Sequence, residues 1–166
     1  MKATKLFAFL ALCLVLALTG CDSGGGSSGG GGDRGAGKTF IVSDITPRGE
    51  IVITPVSGKG IKFTQGGIEY EIHVSLILND NNTFTSTEEF WMDGLKLGDS
   101  EFTGTWDQNG SIITTHSNSE KDNLSGTTTN FNPPEDESLT LSADGKTLTE
   151  NEQDPELPTK LVLTKQ

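Results

Sequence analysis

Cysteine, basic residues and long hydrophobic runs are all scarce in this sequence. The two cysteines, Cys13 and Cys21, lie near the N-terminus, so the rest of the chain has no thiol for a disulfide bond or a catalytic nucleophile. Twelve lysine and arginine residues stand against 23 aspartate and glutamate residues, which gives a formal net charge of −11. Because nucleic acid is a polyanion and the chain has no basic stripe, we predict no nucleic-acid partner.

The one apolar run, Leu6–Leu18, follows Lys2 and Lys5 and is too short to span a membrane comfortably. It ends in Leu18-Thr19-Gly20-Cys21, which resembles the lipobox of bacterial lipoproteins. That resemblance implies that residues 1–20 are a signal peptide and that Cys21 receives lipid, palmitate included. The expected location is then extracytoplasmic. The acyl chains hold the protein in a membrane, with the outer membrane favoured over the inner one.

Residues 21–38 form the expected lipidated cysteine and flexible linker. Asp22–Gly37 holds nine glycines and three serines among its sixteen residues, a composition that cannot build a packed core. Gly32–Thr39 also fits the pattern of a phosphate-binding loop, but no strand precedes it and the β-forming Phe40–Val42 follows it. We therefore predict no nucleotide or other cofactor.

Residues 39–166 are predicted to form one all-β domain. In Ile68–Leu78 apolar residues alternate with mostly polar ones, which indicates a strand with one buried face, and Thr83–Asp93 repeats the alternation. The pairs Asp93-Gly94, Asn109-Gly110 and Asp144-Gly145 are typical of tight hairpin turns. Closing the sheet removes its exposed edges, so we expect an antiparallel up-and-down barrel of eight to ten strands, with a two-layer sandwich as the alternative.

The remaining strands are predicted from weaker patterns, and Asn132–Glu137 is interpreted as an exposed acidic loop. Asp154–Pro158 is a second predicted break. The weaker strands are Phe40–Thr46, Glu50–Thr54, Gly60–Thr64, Glu101–Asp107, Ser111–Ser117, Leu124–Phe131, Ser138–Ala143, Lys146–Glu150 and Lys160–Thr164.

A second resemblance covers residues 68–165. The strand–turn–strand run Leu76–Thr85 is followed by Phe102-Thr103-Gly104-Thr105-Trp106, then by Asn109–Ile113, and finally by Lys160–Thr164. In this order the motifs are similar to those of small bacterial lipocalin-like lipoproteins. The resemblance implies a lipocalin-like β-barrel, and it implies no catalytic residues because that family has no shared active site.

A barrel of about eight strands either fills with side chains or holds one small ligand, and the sequence leaves both open. Glu88 is unusual because it falls among the apolar positions of its strand. Either it is a polar group at the barrel mouth, or the predicted register of this strand is wrong. The candidate ligand-binding residues are Tyr70, Ile72, Val74, Leu76, Phe84, Glu88, Phe90, Met92, Phe102 and Trp106. Ile112, Leu139, Leu141, Leu161 and Leu163 are also expected to face inward.

We predict no metal site at either histidine. His73 falls on the polar face near carboxylates, but no spacing brings together the three or four ligands that a metal needs, and the same holds for His116. Glu88 and Glu89 are adjacent on a strand, so they point to opposite faces and cannot act as a carboxylate pair. We therefore expect no enzyme, but an anchored binding module for a small apolar ligand. The alternative is a solid barrel that docks an envelope protein partner.

Overall fold

A computed structural model describes residues 37–46, 51–150 and 160–166. In these ranges the chain forms ten β-strands and no helix. The described residues therefore contain no helix that is long and apolar enough to cross a membrane. The strands are β1 (Lys38–Thr46), β2 (Ile53–Val56), β3 (Gly60–Gln65), β4 (Ile68–Leu78), β5 (Thr83–Met92), β6 (Leu95–Asn109), β7 (Ile112–Asp122), β8 (Thr127–Leu141), β9 (Thr147–Glu150) and β10 (Lys160–Lys165).

The strands form a closed antiparallel barrel of eight, as the sequence predicted. From β4 to β10 each strand pairs with the next along the chain, and β1 pairs with β10 on one side and β4 on the other. β4 divides its edge between two partners, because Ser75–Leu78 pair with β1 and Ile68–Ile72 pair with β3. The hairpin of β2 and β3 therefore extends the sheet beyond the closed ring.

The alternation in β4 explains why the barrel has an apolar interior. Tyr70, Ile72, Val74, Leu76 and Leu78 are buried, and the residues between them face outward. The β5–β6 hairpin turns through two residues, Asp93 and Gly94, both at positive φ, as a tight hairpin turn requires. The predicted bounds of β4 and of this turn are confirmed.

One end of the barrel, which we call the packed end, is filled by side chains. It lies beside the β4–β5, β6–β7 and β8–β9 turns, and its Phe40, Leu78, Ile113 and Leu148 are completely buried. Trp106 closes this end, and its Nε1 donates a hydrogen bond to the carbonyl oxygen of Asn79 at 3.0 Å. A buried indole N–H needs such an acceptor.

The prediction of an acidic loop at Asn132–Glu137 is wrong, because β8 continues through these residues. Glu135, Asp136 and Glu137 pair with Ser117, His116 and Thr115 of β7. The register then jumps, so that Ser119 pairs with Asn130, and this bulge contains the two prolines. Proline lacks the N–H that a regular ladder uses, and a bulge accommodates it. The two strands predicted on either side are therefore one.

The prediction that Ile112 faces inward is also wrong. Ile112 is 38% exposed and its neighbour Ile113 is completely buried, so the alternation begins one residue later than expected. The cause is that two adjacent isoleucines give no alternation of their own. Several strand bounds differ too: β2 begins at Ile53, and β6 and β7 run beyond their predicted lengths. The predicted break at Asp154–Pro158 lies outside the described residues.

Candidate functional site

The interior toward the other end of the barrel carries glutamates from four strands. Glu88 lies on the same face of β5 as Phe84 and Phe90, which are buried. Glu137 alternates with Leu139 on β8, and Glu150 alternates with Leu148 on β9. Glu120 of β7 pairs with the buried Phe102. We call Glu88, Glu120, Glu137 and Glu150 the acidic cluster.

Strand order places two members of the acidic cluster on opposite walls. In the closed ring three strands separate β5 from β9 in either direction, so Glu88 and Glu150 face each other across the interior. Burial raises the pKa of Glu88 well above its ordinary value, and the negative charges of Glu150 and then Glu120 raise it further. Desolvation and like charge both favour the protonated carboxyl group.

One of the two carboxylate oxygens of Glu88 is unsatisfied among the described residues. Its Oε1 atom is buried and, within the described ranges, has no hydrogen-bond partner. The residue as a whole is half-buried, so part of it remains accessible to solvent. Leaving a buried charged oxygen without a partner costs more than about 1–3 kcal/mol. The side chain is therefore suited to take up a proton or a hydrogen-bond donor.

Buried hydroxyl groups lie next to the acidic cluster, and Thr115 pairs directly with Glu137. Ser86, Thr115 and Ser117 are all buried. Ser86, Thr115 and Glu137 provide the polar lining of a cavity of about 10 Å³, otherwise lined by Val74, Leu76, Phe84, Leu139 and Leu163. This volume has room for about one water molecule. This part of the barrel is thus closely packed around a small space that is lined mostly by apolar side chains.

Aromatic rings lie beside Glu88 on the side away from the packed end. The rings of Phe63 and Tyr70 stack with centroids 5.2 Å apart, and those of Tyr70 and Phe90 stack at 6.0 Å. Phe90 is two residues from Glu88 on the same face of β5, so this stack and the Glu88 side chain are neighbours.

The predicted ligand-binding residues fall into separate groups in the structure. Tyr70 and Phe90 belong to the aromatic stack, Glu88 lies next to them, and Met92 is half-buried against the core. Trp106 belongs to the packed end. The others, Ile72, Val74, Leu76, Phe84 and Phe102, are buried in the core. That these residues bind a ligand stays a prediction.

Sequence reasoning missed three members of the acidic cluster, Glu120, Glu137 and Glu150. For Glu150 a signal was present, because it continues the alternation of Leu148 on a short strand. Glu137 has the same relation to Leu139 and Leu141, but the interpretation of its surroundings as a loop concealed it. Glu120 follows a bulge at Ser117–Ser119 that reverses the alternation of β7, so no pattern in the sequence identified it.

The two histidines lie on the outer surface, each between two carboxylates. His73 Nε2 is 2.6 Å from Glu71 Oε1, and Nδ1 is 2.9 Å from Glu89 Oε2. Lys96 is paired with Glu89 at 2.7 Å and lies 5.3 Å from the ring centroid of Trp91. Within the described residues, no three histidine, cysteine, aspartate or glutamate side chains are arranged to hold a metal ion.

His116 joins three strands through its two ring nitrogens. Nε2 is 3.0 Å from Asp107 Oδ2 on β6, and Nδ1 is 2.7 Å from Asp136 Oδ1 on β8. Hydrogen bonds to Asp107 and then Asp136 raise the pKa of His116 above its ordinary value. The protonated imidazole can donate to both carboxylates at once, which the neutral ring cannot do.

The fold places the chain among closed eight-stranded antiparallel β-barrels, consistent with a lipocalin-like fold and compatible with a binding module. No family model, no curated protein and no solved structure matches the chain. Cys21, the proposed signal peptide and residues 22–36 of the linker lie outside the described residues.

Proposed function

We propose that this chain is a lipid-anchored, extracytoplasmic lipocalin-like protein whose barrel binds a small, largely apolar ligand and performs no catalysis. The observation that carries the binding role is the side chain of Glu88 in the otherwise apolar interior. Its Oε1 is buried without a hydrogen-bond partner among the described residues, beside the stacked rings of Tyr70 and Phe90. An apolar interior that holds a polar group is a common form of ligand site.

The size of the interior limits the ligand. The cavity beside Ser86, Thr115 and Glu137 measures about 10 Å³, so only a group as small as a water molecule fits there without rearrangement. The larger, apolar part of the ligand would lie against Tyr70, Phe90 and Met92. This argues for a short ligand rather than a long acyl chain.

The binding role is tested by mass spectrometry of a solvent extract of the full chain purified from its native membrane. We expect one small molecule in a constant ratio to protein, and less of it after Tyr70→Leu. Ile77→Ala is the matched control, because Ile77 lies on the outer face of the same strand. A ratio that is unchanged by Tyr70→Leu in a folded variant would contradict binding beside the aromatic stack.

The anchor is supported by the resemblance of Leu18-Thr19-Gly20-Cys21 to a lipobox, and metabolic labelling with palmitate tests it. We expect label in the native chain and in Cys13→Ser, which keeps the modified cysteine, and none in Cys21→Ser. The unlabelled variant should also leave the membrane fraction after high-salt washing, because acyl chains are the proposed attachment. Label persisting in Cys21→Ser would contradict the anchor.

A second function, docking of an envelope protein, is favoured by the β7–β8 hairpin. Leu124 at its turn is 54% exposed, and the neighbouring Thr127–Asn130 of β8 are exposed as well. Crosslinking in intact cells through a photoreactive residue at position 124 tests this function. An adduct with one protein supports docking, and the absence of any adduct alongside a recovered small molecule favours the binding role.

A further inference from the structure

We infer that the packed end of the barrel faces the membrane and contacts anionic lipid headgroups through a group of lysine side chains. The inference goes beyond ligand binding and rests on the proposed lipid anchor. Two observations carry it. Three lysines lie on adjacent strands at the packed end, and the chain that leads from Cys21 joins the barrel at the same end, where β1 begins. We call Lys38, Lys146 and Lys165 the lysine group.

Strand pairing brings the lysine group together. The Lys165 N–H donates a hydrogen bond to the carbonyl oxygen of Lys146 at 2.8 Å, and Lys165 pairs with Phe40, two residues from Lys38. Each lysine is two residues from a buried residue of the core and lies on the same side of its strand. Since the layer beneath them is filled, the lysines present their charge to a surface and do not line a pocket. The buried residues are Phe40, Leu148 and Leu163.

Two members of the lysine group place like charges next to each other. Lys146 and Lys165 are exposed, and neither forms an ion pair with a side chain in the described ranges. Asp144 acts on Lys146 electrostatically, but its Oδ1 accepts hydrogen bonds from the Ser142 hydroxyl and the backbone N–H of Lys146. Like charges directly opposite each other on neighbouring strands are destabilising, and an anionic surface relieves that repulsion. Lys38 has a further interaction of its own, so the inference depends mainly on the other two lysines.

Charge is distributed unevenly between the packed end and the rest of the barrel. The turns at the packed end add two aspartates, Asp80 and Asp144, to the three lysines. The other described residues include five lysines against fifteen aspartates and glutamates. An anionic surface therefore attracts the lysine group and repels the rest of the barrel. The linker carries Asp22, Asp33 and Arg34, too little negative charge to neutralise three lysines.

The length of the linker favours the same orientation. The sixteen residues Asp22–Gly37 have the composition of a flexible chain, with a root-mean-square span of about 20–24 Å. They join the barrel at Lys38, so the packed end is the part of the barrel nearest to the lipid proposed on Cys21. To bring the opposite end to the membrane, the linker would also have to follow the barrel wall. An eleven-residue strand such as β4 is about 35 Å long.

Energy transfer from tryptophan to a dansyl-labelled lipid headgroup tests the inference. The full lipidated chain is reconstituted in vesicles of phosphatidylcholine, with or without phosphatidylglycerol. The chain has two tryptophans, so Trp91→Phe leaves Trp106 of the packed end as the sole donor. We expect more transfer from Trp106 in the anionic vesicles, and loss of this excess at high salt, because salt screens the attraction. Phosphatidylserine at the same surface charge should act as phosphatidylglycerol does.

Lys146→Gln combined with Lys165→Gln should remove most of the excess transfer. Each lysine near an anionic surface shifts the orientation equilibrium about fivefold. Both side chains are exposed and the change removes a like-charge pair, so the variant should fold. Lys59→Gln combined with Lys121→Gln is the matched control, because it makes the same change in net charge at exposed lysines away from the packed end. The control should keep the excess.

The possible outcomes separate this inference from the proposed anchor. Equal transfer in neutral and anionic vesicles, or an excess that the Lys146 and Lys165 variant retains, overturns the inference and leaves the anchor standing. Failure of the full chain to float with either kind of vesicle overturns the anchor and the inference together. An excess that phosphatidylglycerol gives and phosphatidylserine does not give overturns the surface contact in favour of a site for one headgroup.

Discussion

At the scale of single residues, Glu88 makes the stability of the barrel depend on pH, alongside the other groups whose pKa is shifted. A carboxyl group whose pKa is raised in the folded state contributes its full stability below the pKa of the unfolded chain. That contribution is lost as the pH rises through the folded-state pKa. Burial and the charges of Glu150 and Glu120 raise the pKa of Glu88, so the ligand-free protein should lose stability above the ordinary titration range of glutamate.

The first prediction concerns Glu88→Gln, which removes the charge and keeps the shape. We expect the free energy of unfolding at pH 8 to increase by about 1–3 kcal/mol, because a buried charged oxygen without a partner is no longer present. Near pH 4 the two proteins should be nearly equally stable. Urea unfolding at both pH values measures the difference. A variant that is less stable than the native chain at pH 8 would contradict this account.

The second prediction concerns His116. The pKa of His116 is raised in the folded state. Its contribution to the free energy of unfolding is therefore fully present below the pKa of histidine in the unfolded chain, and it is lost as the pH rises through the folded-state pKa. Asp107→Asn and Asp136→Asn should each lower the pKa of His116. Proton NMR titration of the imidazole rings measures this. Since the chain has two histidines, His116→Gln identifies the signal. An unchanged titration in both aspartate variants would show that these ion pairs do not form.

At the scale of strands and turns, Gly104 shows how one residue permits a bulge. A β-carbon there would lie 2.0 Å from the carbonyl oxygen of His116 and 2.9 Å from Cε1 of Phe84. The register of β6 and β7 shifts at this position, which brings the two backbones close together. Only glycine fits without movement of the β7 backbone.

The third prediction compares Gly104→Ala with Gly98→Ala on the same strand. Gly98 has an ordinary contact, with Cβ of Phe90 at 3.6 Å from the added carbon, so alanine should be tolerated there. Gly104→Ala should lower the free energy of unfolding by about 2 kcal/mol or more, as overpacking does. Urea unfolding of both variants makes the comparison. Equal stabilities would mean that β6 and β7 do not approach each other as described.

The strands also show what the sequence could and could not predict. The bounds of β4 follow directly from the alternation of Ile68–Leu78, because one face is buried along its whole length. β8 could not be predicted as one strand, since Pro133 and Pro134 lie in a bulge that only the pairing with β7 defines. For the same reason the sequence did not predict that Glu137 lies in the interior. The alternation of apolar and polar residues in β5, in contrast, predicted that Glu88 faces inward.

At the scale of the whole molecule, closure of the ring distinguishes a barrel from an open sheet. It depends on four paired positions, where Lys38–Ile41 of β1 meet Ser75–Leu78 of β4. Which glutamates share the interior also depends on closure, because Glu88 and Glu150 face each other only when β5 and β9 lie on opposite walls. No local pattern in the sequence contains this information.

The fourth prediction tests closure by amide hydrogen exchange. Phe40 and Ile41 of β1 have a partner strand on each side, so their amides should be about as protected as those of β4. β2 has β3 as its one partner in the described sheet, so Ile53–Val56 should exchange faster. Exchange at Phe40 and Ile41 as fast as in β2 would indicate an open sheet.

The most direct test of the account is a carbon-13 NMR titration of the Glu88 carboxyl group in the full chain. Assignment by comparison with Glu88→Gln identifies the signal. We predict a pKa well above the ordinary value for glutamate, because the carboxyl group is buried and faces the charges of Glu150 and Glu120. An ordinary pKa would contradict the interior position of Glu88.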